Sequence, residues 1–165
     1  MYRLNWKWGE TSPICARVSS ETEVHAGDLL WLDEDGKAKP ASEFPKSDDL
    51  VSTQSAFSLK FLGIAMQSSP SGKESAIRTA TTGTFEFSDE TQDGIPETLG
   101  TYVGANLNPA QTHLQRSSVV AVSSAKCAFG RIVHLENVPT GKAFVAIVST
   151  VIRGGVPGSD PHHVV

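Results

Sequence analysis

The 165-residue sequence is short of the features that most directly declare a chemistry. It has two cysteines, Cys15 and Cys127, with no Cys-x-x-Cys spacing and no histidine close by in sequence. Neither a thiolate zinc site nor a redox pair is encoded, and two free thiols are the expectation. Charged residues make up only 19% of the chain, and fourteen Lys and Arg stand against eighteen Asp and Glu, for a net charge of −4. The basic residues are scattered, which speaks against nucleic acid as a partner, because neutralising phosphates needs clustered cations. No apolar run approaches the roughly 20 residues that cross a bilayer, so no membrane partner is expected. The first eight residues alternate polar and apolar side chains and lack the apolar stretch of a secretory signal, which points to synthesis in a cytoplasm. Helical periodicity is scarce throughout. A 39% hydrophobic share with abundant Ser, Thr and Gly is the composition of a soluble, turn-rich β protein long enough for one domain.

What is present is a pattern that occurs twice. A glycine leads into a short apolar strand, a polar turn or linker follows, and an apolar-Gly-apolar strand comes after it. The first pass is Ala26-Gly27-Asp28-Leu29-Leu30-Trp31-Leu32, the turn Asp33-Glu34-Asp35-Gly36, and Phe61-Leu62-Gly63-Ile64-Ala65-Met66. The second is Leu99-Gly100-Thr101-Tyr102-Val103-Gly104-Ala105, a polar stretch, and Ala128-Phe129-Gly130-Arg131-Ile132-Val133. The run 29–32 is apolar on both faces and should sit deep. Asp35-Gly36 predicts a hairpin of the type I′ class, with a returning strand at 37–41. Residues 42–56 read as an irregular connection with one helical turn, and 57–66 as strand. Further strands are expected at 2–8, 14–18, 76–87, 119–122, 127–135 and 143–152. The fold class is therefore all-β: a small β barrel or sandwich with two pseudo-repeated strand units and little helix. One domain should span 1–152, and residues 153–165, with three Gly and two Pro, should form a flexible C-terminal arm.

Catalytic and ligand-binding patterns are nearly absent. A phosphate loop needs Gly-x-x-x-x-Gly-Lys-Ser/Thr, but Gly72-Lys73 is followed by Glu74 and preceded by Gln67 where the first glycine belongs. Asp89, Asp93 and Gly94 match three positions of a calcium loop, while Thr91 and Gly100 occupy two others, so a solvated acidic loop is preferred. His25, His113, His134, His162 and His163 show no zinc-ligand spacing, and His134 reads as a hydrogen-bonded structural residue. The pairs Asp33/Asp35 and Asp48/Asp49 sit where carboxylates shape turns. No Gly-x-Ser-x-Gly nucleophile elbow appears. No catalytic residue, metal ligand or cofactor is assigned, and an enzymatic role is not expected.

The candidate site residues lie at the N-terminus. Alternation places Tyr2, Leu4, Trp6 and Trp8 on one side of a strand and Arg3, Asn5 and Lys7 on the other. Such a strand either lines the core or docks on a partner, since Tyr and Trp join large contact area to a polar handle. Tyr2, Trp6 and Trp8 are the candidate partner-binding residues.

The strings from Val24 to Leu32, Asp35-Gly36-Lys37-Ala38-Lys39-Pro40-Ala41, Phe61-Leu62-Gly63-Ile64-Ala65 and Thr82-Gly83-Thr84-Phe85-Glu86-Phe87 resemble small head-decoration, or cement, proteins of tailed bacteriophages. Gly100-Thr101-Tyr102-Val103, Phe129-Gly130-Arg131-Ile132-Val133 and Phe144-Val145-Ala146-Ile147-Val148 stand as the second copy. The resemblance spans about residues 22–150, and the insertion 42–57 and the Trp-rich N-terminus fall outside its pattern. It implies a non-enzymatic virion protein that binds the major capsid protein on the outer surface of the head, as a homotrimer, and reinforces the shell. The alternative is a β-barrel module holding a ligand or carbohydrate in a mouth lined by Trp31, Tyr102 or Phe144.

Overall fold

A computed structural model describes residues 5–88, 98–135 and 142–157. Tyr2, the acidic loop 89–94 and residues 158–165 lie outside the described residues. The strands are β1 (Asn5–Trp8), β2 (Ile14–Val18), β3 (Leu29–Leu32), β4 (Ala38–Pro40), β5 (Phe61–Ala65), β6 (Ser75–Ala80), β7 (Thr82–Ser88), β8 (Tyr102–Leu107), β9 (Leu114–Ala121), β10 (Gly130–Leu135) and β11 (Lys142–Val148). Two helices, α1 (Leu50–Lys60) and α2 (Thr150–Arg153), complete the set with two single 3-10 turns, Ala41–Glu43 and Ala125–Cys127. The chain is thus mostly β, in two antiparallel sheets ordered β2-β6-β5-β3-β4 and β1-β7-β11-β10-β8-β9.

One core lies between the sheets. Leu29, Trp31, Phe61, Ile64 and Ala80 enter it from the smaller sheet, and Phe85, Phe87, Val103, Ile132, Val145 and Ile147 from the larger. The smaller sheet has a second apolar face, where Ala16, Val18, Leu30, Ala38, Leu62 and Ile77 form their own cluster. That explains a run apolar on both sides at 29–32: consecutive residues serve different cores. The smaller sheet curls until β2 and β4 lie against each other around this second cluster, but no closed barrel forms among the described residues.

The two passes are one structural unit used twice. In the first, Gly27 N–H donates to Ala65 O (2.7 Å) and Ala65 N–H returns to Asp28 O (2.9 Å). In the second, Gly100 N–H donates to Ile132 O (2.8 Å) and Ile132 N–H to Thr101 O (3.0 Å). Leu30 faces Gly63 as Val103 faces Gly130, and Ile64 faces Ala80 as Arg131 faces Ala146. The order β4-β3-β5-β6 therefore repeats as β9-β8-β10-β11. The central glycines are required by contact: a Cβ at Gly63 would stand 1.9 Å from Ala80 O, and one at Gly130 2.6 Å from Ala146 O. The counterpart of β11 is β6, not the Thr82–Phe87 string aligned with it on sequence. That string, β7, pairs instead with β11 itself, along seven residues.

Three local expectations are corrected. Residues 50–60 form an 11-residue α-helix, longer than the single turn expected, capped by Asp49, whose carboxylate accepts from Ser52 N–H at 2.7 Å. Phe57 to Lys60 belong to this helix, so β5 begins at Phe61. The β3–β4 hairpin turns where expected, but only Gly36 has positive φ (+76°), and Gly36 N–H bonds Asp33 O. This is a type I turn closed by a left-handed glycine rather than type I′. Asp33 Oδ1 accepts from both Asp35 and Lys37 N–H, the turn-shaping role expected of it. Pro40 lies within β4, an edge strand where its missing N–H costs no ladder bond. Of the segment expected to form a tail, 153–157 are described: Val156 is 2% exposed, and Pro157 O accepts from Arg131 Nη2 at 3.1 Å.

Replacing the central glycines tests the register. Gly63→Ala is expected to lose about 3 kcal/mol or to prevent folding, because a backbone oxygen must move. Gly36→Ala, with open space around it and only its φ at stake, should lose about 1 kcal/mol. Urea unfolding midpoints measure both, and equal losses would contradict the assigned pairing.

Candidate functional site

The N-terminal strand β1 adds to the free side of β7, with Asn5 opposite Glu86, Trp6 opposite Phe85 and Trp8 opposite Thr84. Lys7 is the extra residue of a bulge between the last two pairs. Residues directly opposed on paired strands share a face. Trp6 therefore lies on the side of Phe85, which points into the core, and Trp8 lies on the outer side with Thr84. The alternation that put Tyr2, Trp6 and Trp8 on one side fails here, because a bulge shifts the period by one residue. Nor is β1 a core strand: all four of its residues are exposed, Trp6 by 53% and Trp8 by 45%. Tyr2 lies outside the described residues.

Trp8 rests on the outer face of the larger sheet. Its ring stacks on Phe144 at 5.3 Å and 28°, and the edge of His134 approaches it at 6.0 Å. Phe144 is only 4% exposed although Ala143, Val145 and Ile147 beside it occupy the inner face. Part of its cover comes from Trp8 and His134, so the indole turns its other side to solvent. His134 lies in β10 as expected, is exposed, and packs its ring against Trp8 and Phe144. Lys7 Nζ meets Glu86 at 2.6 Å, and Trp6 Nε1 donates to Gly9 O at 3.0 Å. Val133 is the extra residue of a second bulge, in β10 next to this cluster, and is itself exposed. Two of the larger sheet's irregularities thus border the same patch, while a third lies between β8 and β9, at Asn106. Sequence reasoning named Trp6 and Trp8 but missed Phe144 and His134. A signal existed: the run 143–148 is apolar on both faces, and its outer side needs a cover.

The strand is held from below. Thr82 Oγ1 donates to Glu10 O (2.7 Å), Thr81 Oγ1 to Ser12 O (2.7 Å), and the N–H groups of Thr81 and Thr82 both donate to Thr11 O. The chain is pinned from Glu10 onward, and Gly9, with φ +84°, stands at the boundary.

The aromatic residues proposed to line a ligand mouth do not converge. Trp31 is buried, with Nε1 donating to Pro40 O and its ring edge-on to Phe44. Tyr102 stacks under the Arg131 guanidinium and accepts from its Nη2 at 2.6 Å, while Phe144 lies beneath Trp8. Among the described residues no group of three His, Cys, Asp or Glu is placed to hold a metal ion. Cys15 is an exposed free thiol and Cys127 a buried one whose pKa burial raises. No described helix is long and apolar enough to cross a membrane.

A charged cluster joins the two units. Arg116 on β9 donates to Asp28 Oδ2 (2.9 Å), His25 Nδ1 (3.0 Å) and Glu23 O (3.1 Å). Arginine can only donate, so His25 must present a lone pair at Nδ1 and direct Nε2–H at Glu23 Oε1, 3.0 Å away. Asp28 also accepts from His25 N–H at 2.8 Å. Burial dominates at Asp28 and raises its pKa above the ordinary 3.8, against the His25 N–H bond and the Arg116 charge, which lower it. Its carboxylate is structural, and it was not foreseen.

No family model, curated protein or solved structure matches the chain.

Because its folded pKa is raised, the contribution of Asp28 to stability is fully present below about pH 3.8. It is lost as pH rises through the folded value. Arg116 offsets that loss once the carboxylate is ionised. Arg116→Met should therefore cost about 2 kcal/mol near pH 7, and clearly less near pH 3, where Asp28 is protonated in both variants. Chemical denaturation at the two pH values measures this. A cost unchanged with pH would mean that the ion pair is not its source.

Proposed function

We propose that this protein is a non-enzymatic structural component that docks on a larger protein assembly through its N-terminal strand. The assembly we assign is the outer surface of a tailed-phage head, with the major capsid protein as partner. The observation that carries the docking reading is β1, which occupies the rim of the larger sheet and exposes two tryptophans that a monomer would ordinarily bury. The other strand margins are occupied among the described residues. β9 lies against the turn Ala41–Glu43, and β2 against β4. The doubled unit on which the phage resemblance rests supports the choice of assembly, because both copies keep the same register and the same central glycine.

Repetition would supply the strength. A shell offers many identical sites, and a homotrimer presents three docking strands at once. Modest contacts then add through effective concentration rather than through any single tight interface. Localisation on the virion follows from the same reading, with assembly in the host cytoplasm.

Mixing purified protein with undecorated heads and sedimenting them tests the proposal. Binding should be saturable, and Trp6→Ala with Trp8→Ala should weaken it about 30-fold or more with the far-ultraviolet spectrum unchanged. Because Trp8→Ala uncovers Phe144 and lowers the unfolding midpoint, Trp6→Ala alone, with the midpoint little changed, separates lost binding from lost stability. Heads that take up none of the unaltered protein would overturn it.

A further inference from the structure

We infer that the β1 arm is exchangeable between copies of this chain: residues 5–8 of one copy seat on β7, Phe144 and His134 of the next. The inference rests on the reading of β1 as a docking element and names its partner within the assembly, a second copy. Three observations carry it.

The first is how β1 is attached. Among the described residues it is held by the short ladder to β7, the Lys7–Glu86 ion pair, the Trp8–Phe144–His134 cluster, and Trp6 lying beside Gly83 with Nε1 donating to Gly9 O. All four of its residues stay exposed. The second is the position of the hinge. Glu10, Thr11 and Ser12 are fixed by hydrogen bonds from Thr81 and Thr82, whereas Gly9, with φ +84°, has the backbone freedom to turn the chain at that boundary. A change at Gly9 redirects everything before it and leaves the pinned segment in place. Only Gly9 lies between the pinned Glu10 and the seated Trp8, a span of roughly 7 Å, so the copies that exchange arms abut at this rim.

The third observation is the fit of the occupant. The surface that receives the arm is present on every copy, already complementary to this sequence, so exchange re-forms existing contacts and adds none that must be invented. Stacking a further strand onto β1 is the other route to association through this rim. It is blunted, because β1 has four residues, carries a bulge and places a lysine at that bulge. Exchange in one direction from copy to copy closes a ring when the rotation between copies is a symmetric one.

Cross-linking reads the exchange directly. Asn5→Cys with Glu86→Cys, in a Cys15→Ser background, places two thiols opposite each other across β1 and β7. Trp8→Cys with Thr84→Cys is a second pair that spares the Lys7–Glu86 contact. After oxidation and denaturation without reductant, exchange yields chains linked to one another, as bands at two and three times the chain mass. Light scattering should show an oligomer for the unaltered protein and a monomer once residues 1–8 are removed. Links confined within single chains in both pairs, or a monomeric unaltered protein, would overturn the inference. Links within single chains alongside head binding sensitive to Trp6 and Trp8 would refute exchange alone. Links between chains with no head binding would refute the head as partner and uphold exchange.

Discussion

The fold depends on one nearly continuous extended segment, residues 75–88, that belongs to both sheets. Its first half, β6, pairs with β5 and β2, and its second half, β7, pairs with β11 and β1. The change of sheet happens at Thr81, which is completely buried and uses all of its polar groups. Its N–H donates to Thr11 O, its hydroxyl to Ser12 O, and its carbonyl accepts from Ser149 N–H at 2.8 Å. Ser149, also buried, donates its hydroxyl to Phe61 O and accepts from Ile152 N–H to begin α2. A buried backbone group without a partner costs about 1–3 kcal/mol, so a bend inside the core is stable only where such a network surrounds it. The N-terminal segment makes the same crossing beside it, and the two strands bend together.

That shared strand also explains how two copies of one unit make a single body. β6 ends the first unit, and its continuation β7 completes the sheet of the second along seven paired residues. Arg116 ties the units again from the far side, reaching from β9 to the loop that leads into β3. Gln54 of α1 adds a third link through Nε2 to Ala105 O of β8, at 2.8 Å. Each link joins groups more than fifty residues apart, and two of them bury polar atoms that would be costly if the units separated.

What the sequence made legible follows from which signals are local. The doubled unit could be read because its register depends on glycines at fixed places, and a Gly in an apolar strand is visible without a structure. The helix α1 could not, and the reason lies in its buried side. Thr53, Gln54 and Ser58 are buried beside Phe57, while Val51 and Leu59 face outward. Its inner face is satisfied by hydrogen bonds, from Thr53 Oγ1 to Asp49 O and from Ser58 Oγ to Lys126 O, so no apolar period of 3.6 exists to be found. Trp6 and Trp8 were recognised as a pair by residue type, but their faces were misplaced because the bulge at Lys7 leaves no mark on the alternation. The Arg116–Asp28 contact spans 88 positions and has no local signature.

β1 differs from the other strands at the margins of the sheets. β2 and β4 meet around an apolar cluster, so each is covered by the other. β9 is covered by the turn after β4, and Lys46 Nζ, bonded to Gln111 O at 2.6 Å, closes the loop preceding β9. At β1 the chain spends its largest side chains differently. One indole covers Phe144, a residue whose outward position would otherwise leave an apolar hole in the outer face, and the other stays beside Gly83 at the rim. Had stability alone shaped this strand, a smaller apolar residue at position 8 would have sufficed to shield Phe144, and position 6 would need no aromatic ring at all. Two half-exposed indoles flanking a bulged lysine make a rim that discourages indiscriminate strand pairing, and in the docking proposed for β1 the same indoles are the area that the partner would cover.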